Sequence, residues 1–250
     1  MNLLDVVHYC DEYLRVDAVH DYPEALNGLQ VGNRGTVTRI AAGVDLCAAT
    51  VRMAAEQKAD LLLVHHGLFW GGLRPIVGPQ LERVAGLIRE GIAVYGVHLP
   101  LDCHPDIGNA ALLARALGVS VRGDFGTWQD QPVGLWGEGG GDRDGFSLRL
   151  TQALGAPAKA MLFGPTTVGR VGIVTGAGGS FIKQAALQGL DTFVTGEGSH
   201  HSYFDAQELG LNVYFGGHYA TETFGVRALA EHLGTKFGIP WVFLDHPTGL

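Results

Sequence analysis

Basic residues are few in this chain. Lys and Arg together number 17 among 250 residues, against 25 Asp and Glu, and the formal net charge is −8. Proteins that hold nucleic acid mainly through its phosphates usually carry a basic face. The charge balance therefore disfavours a nucleic-acid partner of that kind.

Cysteine is scarce as well, and long apolar runs are missing. Cys10, Cys47 and Cys103 are widely spaced and odd in number, a pattern that resembles neither a disulfide framework nor a CxxC zinc site. No apolar run approaches the length of a membrane span, and no basic stretch followed by an apolar one opens the chain. We therefore expect a protein of the reducing cytoplasm that does not associate with a membrane.

Apolar residues make up 46% of the chain, which is typical of a well-packed fold. Strand-like and helix-like segments alternate along its length. Residues 54–64 and 185–195 align without a gap, each with a small-residue helix end, a short turn, an Asp and four apolar or β-branched residues. We predict an α/β fold of two similar halves from an internal duplication, with mainly parallel sheets flanked by helices.

The predicted boundary between the halves lies in residues 125–145, which are rich in Gly, Asp and Gln. The first half would be residues 1–126 and the second residues 127–250. Residues 146–163 have the pattern of an additional helix and strand that belong to the second half.

Two segments share a pattern that suits metal binding. Each is an apolar run that ends in small residues, followed by a His and then by a carboxylate four positions later. They are His98 with Asp102, and His218 with Glu222. A third apolar run, residues 61–64, ends in the pair His65-His66.

These residues fall just after predicted strands, at the edge of a parallel sheet where ligands bind. Imidazole and carboxylate groups suit zinc, iron or manganese, and two such ions can activate a water molecule. A single His after a strand is more often a hydrogen-bonded turn residue, but the combination favours a hydrolytic metal site.

Three further residues are candidates for proton transfer. Glu197 and His201 lie in one loop, where a general base, a partner of a metal ligand or a plain surface residue are all open interpretations. His98 is open as a metal ligand, a substrate contact or a turn residue. Residues 176–180 follow a strand and open a helix, which fits a backbone site for an anion, although the lysine of a P-loop is missing.

Five runs together make the sequence similar to the Nif-three-like family, whose members are often labelled type 2 GTP cyclohydrolase I homologues. The resemblance covers nearly the whole chain, and this chain is similar to the short bacterial form. The runs are Asn27-Gly28-Leu29-Gln30-Val31, Val64-His65-His66-Gly67, His98-Leu99-Pro100-Leu101-Asp102, Thr195-Gly196-Glu197 and Gly217-His218-Tyr219-Ala220-Thr221-Glu222.

The resemblance implies a dinuclear metal site between two similar α/β halves. His65 and Asp102 would bind one ion, His66 and His218 the other, and Glu222 would bridge them. It also implies a ring-shaped homohexamer built as a trimer of dimers.

The leading hypothesis is a hydrolase with two divalent ions per chain that acts on a small nucleotide or heterocycle. GTP cyclohydrolase-type ring opening is one possible reaction, with Glu197, His98 or His201 moving protons. A dinuclear phosphoesterase is an alternative. So is a metal-binding, ring-forming scaffold without turnover.

Overall fold

The computed structural model describes all 250 residues, in eleven strands and ten α-helices joined by loops and short 3₁₀ turns. The helices are α1 (Leu3–Leu14), α2 (Ala48–Glu56), α3 (Pro79–Glu90), α4 (Leu99–Asp102), α5 (Asn109–Leu117), α6 (Arg143–Leu154), α7 (Ile182–Leu187), α8 (Ser202–Leu209), α9 (His218–Thr221) and α10 (Thr223–Phe237). None of them combines the length and the apolar character that crossing a bilayer requires.

The chain forms two compact units. The first contains Met1–Leu101 and Gly225–His246, and the second contains Asp102–Phe224 and Pro247–Leu250. The strands are β1 (Gly28–Val31), β2 (Ile40–Asp45), β3 (Leu61–His66), β4 (Ala93–Gly96), β5 (Ser120–Trp128), β6 (Gln131–Glu138), β7 (Lys159–Leu162), β8 (Arg170–Ile173), β9 (Thr192–Thr195), β10 (Asn212–Phe215) and β11 (Trp241–Phe243).

The sheet of the first unit is mainly parallel, as the alternation of strands and helices predicts. Its order is β1-β4-β3-β2-β11, and only the edge strand β1 runs antiparallel to its neighbour. Strand β3 is central, and all six of its residues are buried. Leu62 and Val64 of β3 pack with Val94 of β4 and Leu87 of α3 in the core. The paired histidines therefore sit at the end of a central and fully buried strand of this sheet.

Helix α1 shows how local sequence sets an element of this unit. The side chain of Asn2 accepts a hydrogen bond from the backbone N–H of Leu4 at 2.8 Å, which caps the helix. Val6, Cys10 and Leu14 recur at intervals of four residues and are buried on one face. The helix therefore begins at Leu3, directly after its cap.

The sheet of the second unit is mixed. Its order is β5-β6-β8-β9-β10-β7, with parallel pairs at β8/β9 and β9/β10 and antiparallel pairs elsewhere. Phe146 of α6 packs with Val171 of β8 and Tyr214 of β10 in the core. Helix α6 and strand β7 are the additional helix and strand predicted for residues 146–163.

The glycine-rich segment 125–145, which holds the predicted boundary between the halves, contains the end of β5, all of β6 and the start of α6. Strands β5 and β6 pair antiparallel across it as a hairpin. The turn residues Gln129 and Asp130 have φ angles of 46° and 62°, the left-handed pair that joins twisted strands with two residues. Glycines inside both strands mask the alternating pattern in the sequence. The second compact unit begins at Asp102. The division into halves at residue 126 and the internal duplication stay predictions.

Candidate metal centre

Three imidazoles meet in the first unit, at the end of its central strand. His65, His66 and His98 are 1%, 8% and 8% exposed. One ring nitrogen of each lies within 4.8 Å of the others. The ring centroids of His65 and His98 are 4.8 Å apart, and those of His65 and His66 are 4.9 Å apart. Buried imidazoles with converging nitrogens are suited to hold a divalent cation of the zinc, iron or manganese type.

Each imidazole is oriented through its Nδ1 atom. Nδ1 of His65 lies 3.0 Å from the carbonyl oxygen of Val97. A carbonyl only accepts, so this nitrogen carries the proton and the lone pair of the neutral ring is on Nε2. Nδ1 of His66 lies 2.8 Å from a carboxylate oxygen of Asp45. Asp45 faces His66 across the parallel pair of β2 and β3, so the sheet register places the carboxylate beside the ring.

His98 is held by the most elaborate of these supports. Its Nδ1 lies 2.8 Å from one oxygen of Asp21, and the other oxygen of Asp21 accepts from the backbone N–H of Leu99 at 2.9 Å. Burial would raise the pKa of Asp21, but the hydrogen bond and charge of His98, with the donors Asn27 and Leu99, lower it overall. Partners of this kind fix the orientation of a ligating imidazole and raise its basicity.

The side chain of Gln30 in strand β1 explains why a glycine, Gly67, follows the histidine pair. The side-chain oxygen of Gln30 accepts from the backbone N–H of Leu68 at 2.7 Å, and its amide nitrogen donates to the carbonyls of Ala25 and Leu26 at 3.0 Å and 2.9 Å. A Cβ on Gly67 would overlap the Gln30 amide. Gln30 thus ties the turn after His66 to the preceding loop.

Two carboxylates approach each other in the second unit. Asp102 is 9% exposed and Glu222 is 2% exposed. One oxygen of each lies within 4.8 Å of the other. Asp102 accepts a hydrogen bond from the side-chain amide of Asn109 at 2.7 Å. Like charges this close and this buried repel one another, so the pair favours a neighbouring positive charge.

His218 supplies one such charge within the same unit. Its Nε2 lies 3.2 Å from an oxygen of Glu222 and its Nδ1 lies 2.8 Å from an oxygen of Glu197. Burial alone would lower the pKa of His218, but the hydrogen bonds and charges of Glu222 and Glu197 outweigh it and raise the pKa to about 9. The ring therefore carries two protons near neutral pH and donates to both carboxylates.

The turn after β8 is shaped around this carboxylate. Gly176 has a φ of +63°, and a Cβ there would overlap an oxygen of Glu222 and come within 3.3 Å of Nε2 of His218. Its carbonyl accepts from the backbone N–H groups of Gly178, Gly196 and Glu197. Only glycine fits the backbone at this point without displacing the acidic side chain.

The interpretation of residues 176–180 as an anion site lacks support. The N–H groups of Gly176 and Gly178 donate to the side-chain oxygens of Thr221 and Thr195, at 3.1 Å and 3.0 Å. The N–H of Gly179 donates to the carbonyl of Glu197 at 3.0 Å. These amides already bond to protein oxygens, because the turn packs against the loop that carries Glu197.

The three proton-transfer candidates end up in different surroundings. His98 belongs to the buried imidazole group, and Glu197 is an exposed residue whose carboxylate orients His218. His201 is exposed at the start of α8, and its ring lies against His200 with centroids 5.9 Å apart. The sequence patterns missed the supporting residues Asp21, Asp45 and Asn109. The register of β2 against β3 is a signal that could have found Asp45.

A model of the family described as Duf34/NIF3 (NGG1p interacting factor 3) matches residues 1–248 of the chain. A Deinococcus radiodurans protein named GTP cyclohydrolase 1 type 2 homolog is 46% identical over 98% of this chain and 94% of its own length. A Halobacterium salinarum protein of the same name is 42% identical over the full length of both. A crystal structure of a Thermus thermophilus protein superposes with a TM-score of 0.90 at 43% identity, and each chain is covered completely.

Proposed function

Since the chain belongs to the Duf34/NIF3 family, we propose that it is a dinuclear metal-dependent hydrolase acting on a small nucleotide or heterocyclic substrate. The observation that carries the proposal is the donor set. The first unit presents converging buried imidazoles, and the second presents a buried pair of carboxylates with a histidine beside them. Nitrogen and carboxylate donors that are oriented by further hydrogen bonds are typical of hydrolytic metal sites.

Five residues would hold the two divalent ions, which we take to be zinc, iron or manganese. We assign His65 and Asp102 to one ion, His66 and His218 to the other, and Glu222 to both. When bound, such a pair of ions would lower the pKa of water and stabilise negative charge that develops during hydrolysis.

The remaining polar residues have roles that their contacts suggest. Asp45 and Glu197 would position His66 and His218, since each carboxylate bonds to Nδ1 of its histidine. His98 is the best placed of the proton-transfer candidates, because it lies among the imidazoles and Asp21 holds its Nδ1. We also assign proton transfer to Glu197 and His201, the latter on sequence alone.

Opening of the imidazole ring of GTP is the first reaction to test, because relatives carry the name GTP cyclohydrolase 1 type 2 homolog. Protein stripped with a chelator and reloaded with zinc, iron or manganese would be assayed against GTP, other nucleotides and simple phosphoesters. We expect turnover of a nucleotide or heterocycle that needs the metal. Turnover of phosphoesters alone would favour the phosphoesterase. Metal binding without turnover of any compound would favour the scaffold and contradict the hydrolase.

We further propose that the protein acts in the cytoplasm as a homohexamer, a trimer of dimers. This proposal rests on the family resemblance and on the widely spaced cysteines. The mass of the intact assembly measured in solution tests the hexamer, and the mass of a single chain would contradict it.

Metal affinity should fall steeply as the pH is lowered from 9 to 7. The raised pKa of His218, about 9, means that this ring is protonated below that pH. A cation on Nε2 must displace that proton, so each pH unit below the pKa weakens binding about tenfold through this residue, and the dependence fades above it. Competition against a zinc chelator of known affinity, measured across this range, gives the slope.

The matched variant is Glu197→Gln. Removing this carboxylate lowers the pKa of His218, because one of the two groups that raise it is gone. The pH dependence between 7 and 9 should therefore flatten in the variant. An unchanged slope would show that His218 is not the group that metal binding deprotonates.

A further inference from the structure

Two large aromatic side chains flank the imidazole group of the first unit. The ring centroid of Trp70 lies 4.5 Å from that of His98 and 4.8 Å from that of His66. Tyr22 lies 6.0 Å from His98 and 6.1 Å from Trp70, nearly perpendicular to the latter at 82°. We call Tyr22 and Trp70 the aromatic wall.

The aromatic wall is only partly buried. Trp70 is 41% exposed and Tyr22 is 45% exposed, although both touch buried histidines. Together with Glu24 and Gly71 they line a cleft of about 280 Å³. That volume is just below the range typical of sites for drug-sized ligands. It suits one planar ring system rather than a complete nucleotide.

The perpendicular setting of the two rings limits which ligands can lie against both of them in the cleft. A planar ring that lies flat on one wall residue presents its edge to the face of the other, and both arrangements are favourable for aromatic pairs. An aliphatic chain would gain only area from these surfaces. The shape and chemistry of the wall therefore favour a flat, π-bonded ligand.

Glu24 adds a polar preference to the cleft. It lies in the short 3₁₀ turn Pro23–Ala25, and its Cγ is 3.8 Å from the point where a Cβ on Gly72 would lie. An ionised carboxylate only accepts hydrogen bonds. The Glu24 carboxylate therefore favours binding of ligands that carry N–H groups along one edge, and it disfavours anions at this end of the cleft.

We propose that the cleft of Tyr22, Glu24 and Trp70 binds a nitrogen heterocycle that stacks on Trp70 and donates an N–H to Glu24. The inference rests on the proposed hydrolase of small heterocycles and names the place where that substrate's ring binds. Because Trp70 touches His66 and His98, a ring held there is delivered beside the imidazoles. Trp70 is then a specificity-determining residue, which the sequence patterns did not single out.

Binding of guanosine, adenosine and ribose 5-phosphate to the full-length protein tests this, by calorimetry and by saturation-transfer NMR. Base-to-aromatic stacking contributes about 1–3 kcal/mol per base, so Trp70→Leu should weaken nucleoside binding about tenfold or more. Trp70→Phe keeps an aromatic ring and should weaken nucleoside binding less.

Glu24→Gln should weaken the binding of guanosine more than that of adenosine, because guanine offers two N–H groups on one edge. Ribose 5-phosphate, which has no planar aromatic ring to stack, should be insensitive to Trp70→Leu.

Leu73→Ala is the matched control, since Leu73 is 83% exposed in the same loop and does not line the cleft. Its nucleoside binding should equal that of the wild type. Unfolding temperature and metal content, measured for every variant, show that the fold and the imidazole group persist. Trp70→Phe remains informative if Trp70→Leu unfolds.

Equal nucleoside affinity in wild type and Trp70→Leu would overturn the inference, and so would a wild type that binds neither nucleoside. Neither result depends on turnover. If nucleosides bind through Trp70 but no substrate is hydrolysed, the hydrolase fails and the ring site stands. If a nucleotide is hydrolysed with equal efficiency by Trp70→Leu, the hydrolase stands and the ring site fails.

Discussion

Replacing Glu222 with glutamine should empty both of the proposed metal positions of each chain. The carboxylate is 2% exposed, within 4.8 Å of Asp102 and 3.2 Å from Nε2 of His218. Glutamine keeps the shape but lacks the negative charge that two cations need from a shared ligand. Elemental analysis of protein purified without added metal or a histidine tag measures the metal content. It should fall from about two ions per chain in the wild type to near none in the variant.

The control for Glu222→Gln is Glu208→Gln, which removes one exposed carboxylate of α8 in the same unit. Its metal content should match the wild type. Full metal content in Glu222→Gln, with the Glu208 variant unchanged, would show that Glu222 is not a ligand of both ions.

Gly176→Ala should weaken metal binding strongly without removing any ligand. The added Cβ overlaps the Glu222 carboxylate, while three backbone N–H groups bonded to the Gly176 carbonyl keep the turn from moving away. The carboxylate must therefore shift, and displacing a ligand or its support typically costs at least 10- to 100-fold in metal affinity. A zinc competition titration measures the loss.

Gly118→Ala is the control that separates two effects of Gly176→Ala. One is the strain of a left-handed backbone, and the other is the overlap of the new Cβ with Glu222. Gly118 has a φ of +69°, close to the +63° of Gly176, but nothing lies within 4 Å of a Cβ there. Both variants should lose about 1–2 kcal/mol of stability because an L-residue is forced into the left-handed region. Only Gly176→Ala should lose affinity for metal. Equal metal affinity in the two variants would mean that the turn does not determine the position of Glu222.

The sequence predicted the three inner strands of the first sheet, because these strands carry their own signal, but it did not predict the edge strands β1 and β11. Residues 61–64 are continuously apolar, as a strand buried on both faces must be, and the structure extends this strand to His66. Helix α3 begins at Pro79, where a missing backbone N–H does no harm, and ends at Glu90. Residues 21–35 are rich in turn-forming residues and carry no strand pattern. Strand β1 forms there nevertheless, because pairing with β4 overrides that tendency.

The candidate site was predictable only in part, for a physical reason. His65, His66, His218 and Glu222 stand beside strand ends in recognisable patterns. Their supports come from residues distant in the chain: Asp21 meets His98 across 77 positions, and Asp45 meets His66 across 21. Trp70 likewise has the sequence context of an ordinary loop residue, and only the folded structure shows that it packs against two histidines. Such contacts depend on the tertiary fold and leave no local pattern.

The most direct test of the dinuclear site is the metal count of the native wild-type protein. Native mass spectrometry of untagged protein, purified without chelator or added metal, resolves the ions bound to each chain. We predict about two divalent ions per chain, as a water-activating pair requires. A chain that carries none, and takes up none after incubation with zinc, iron or manganese, would contradict the site.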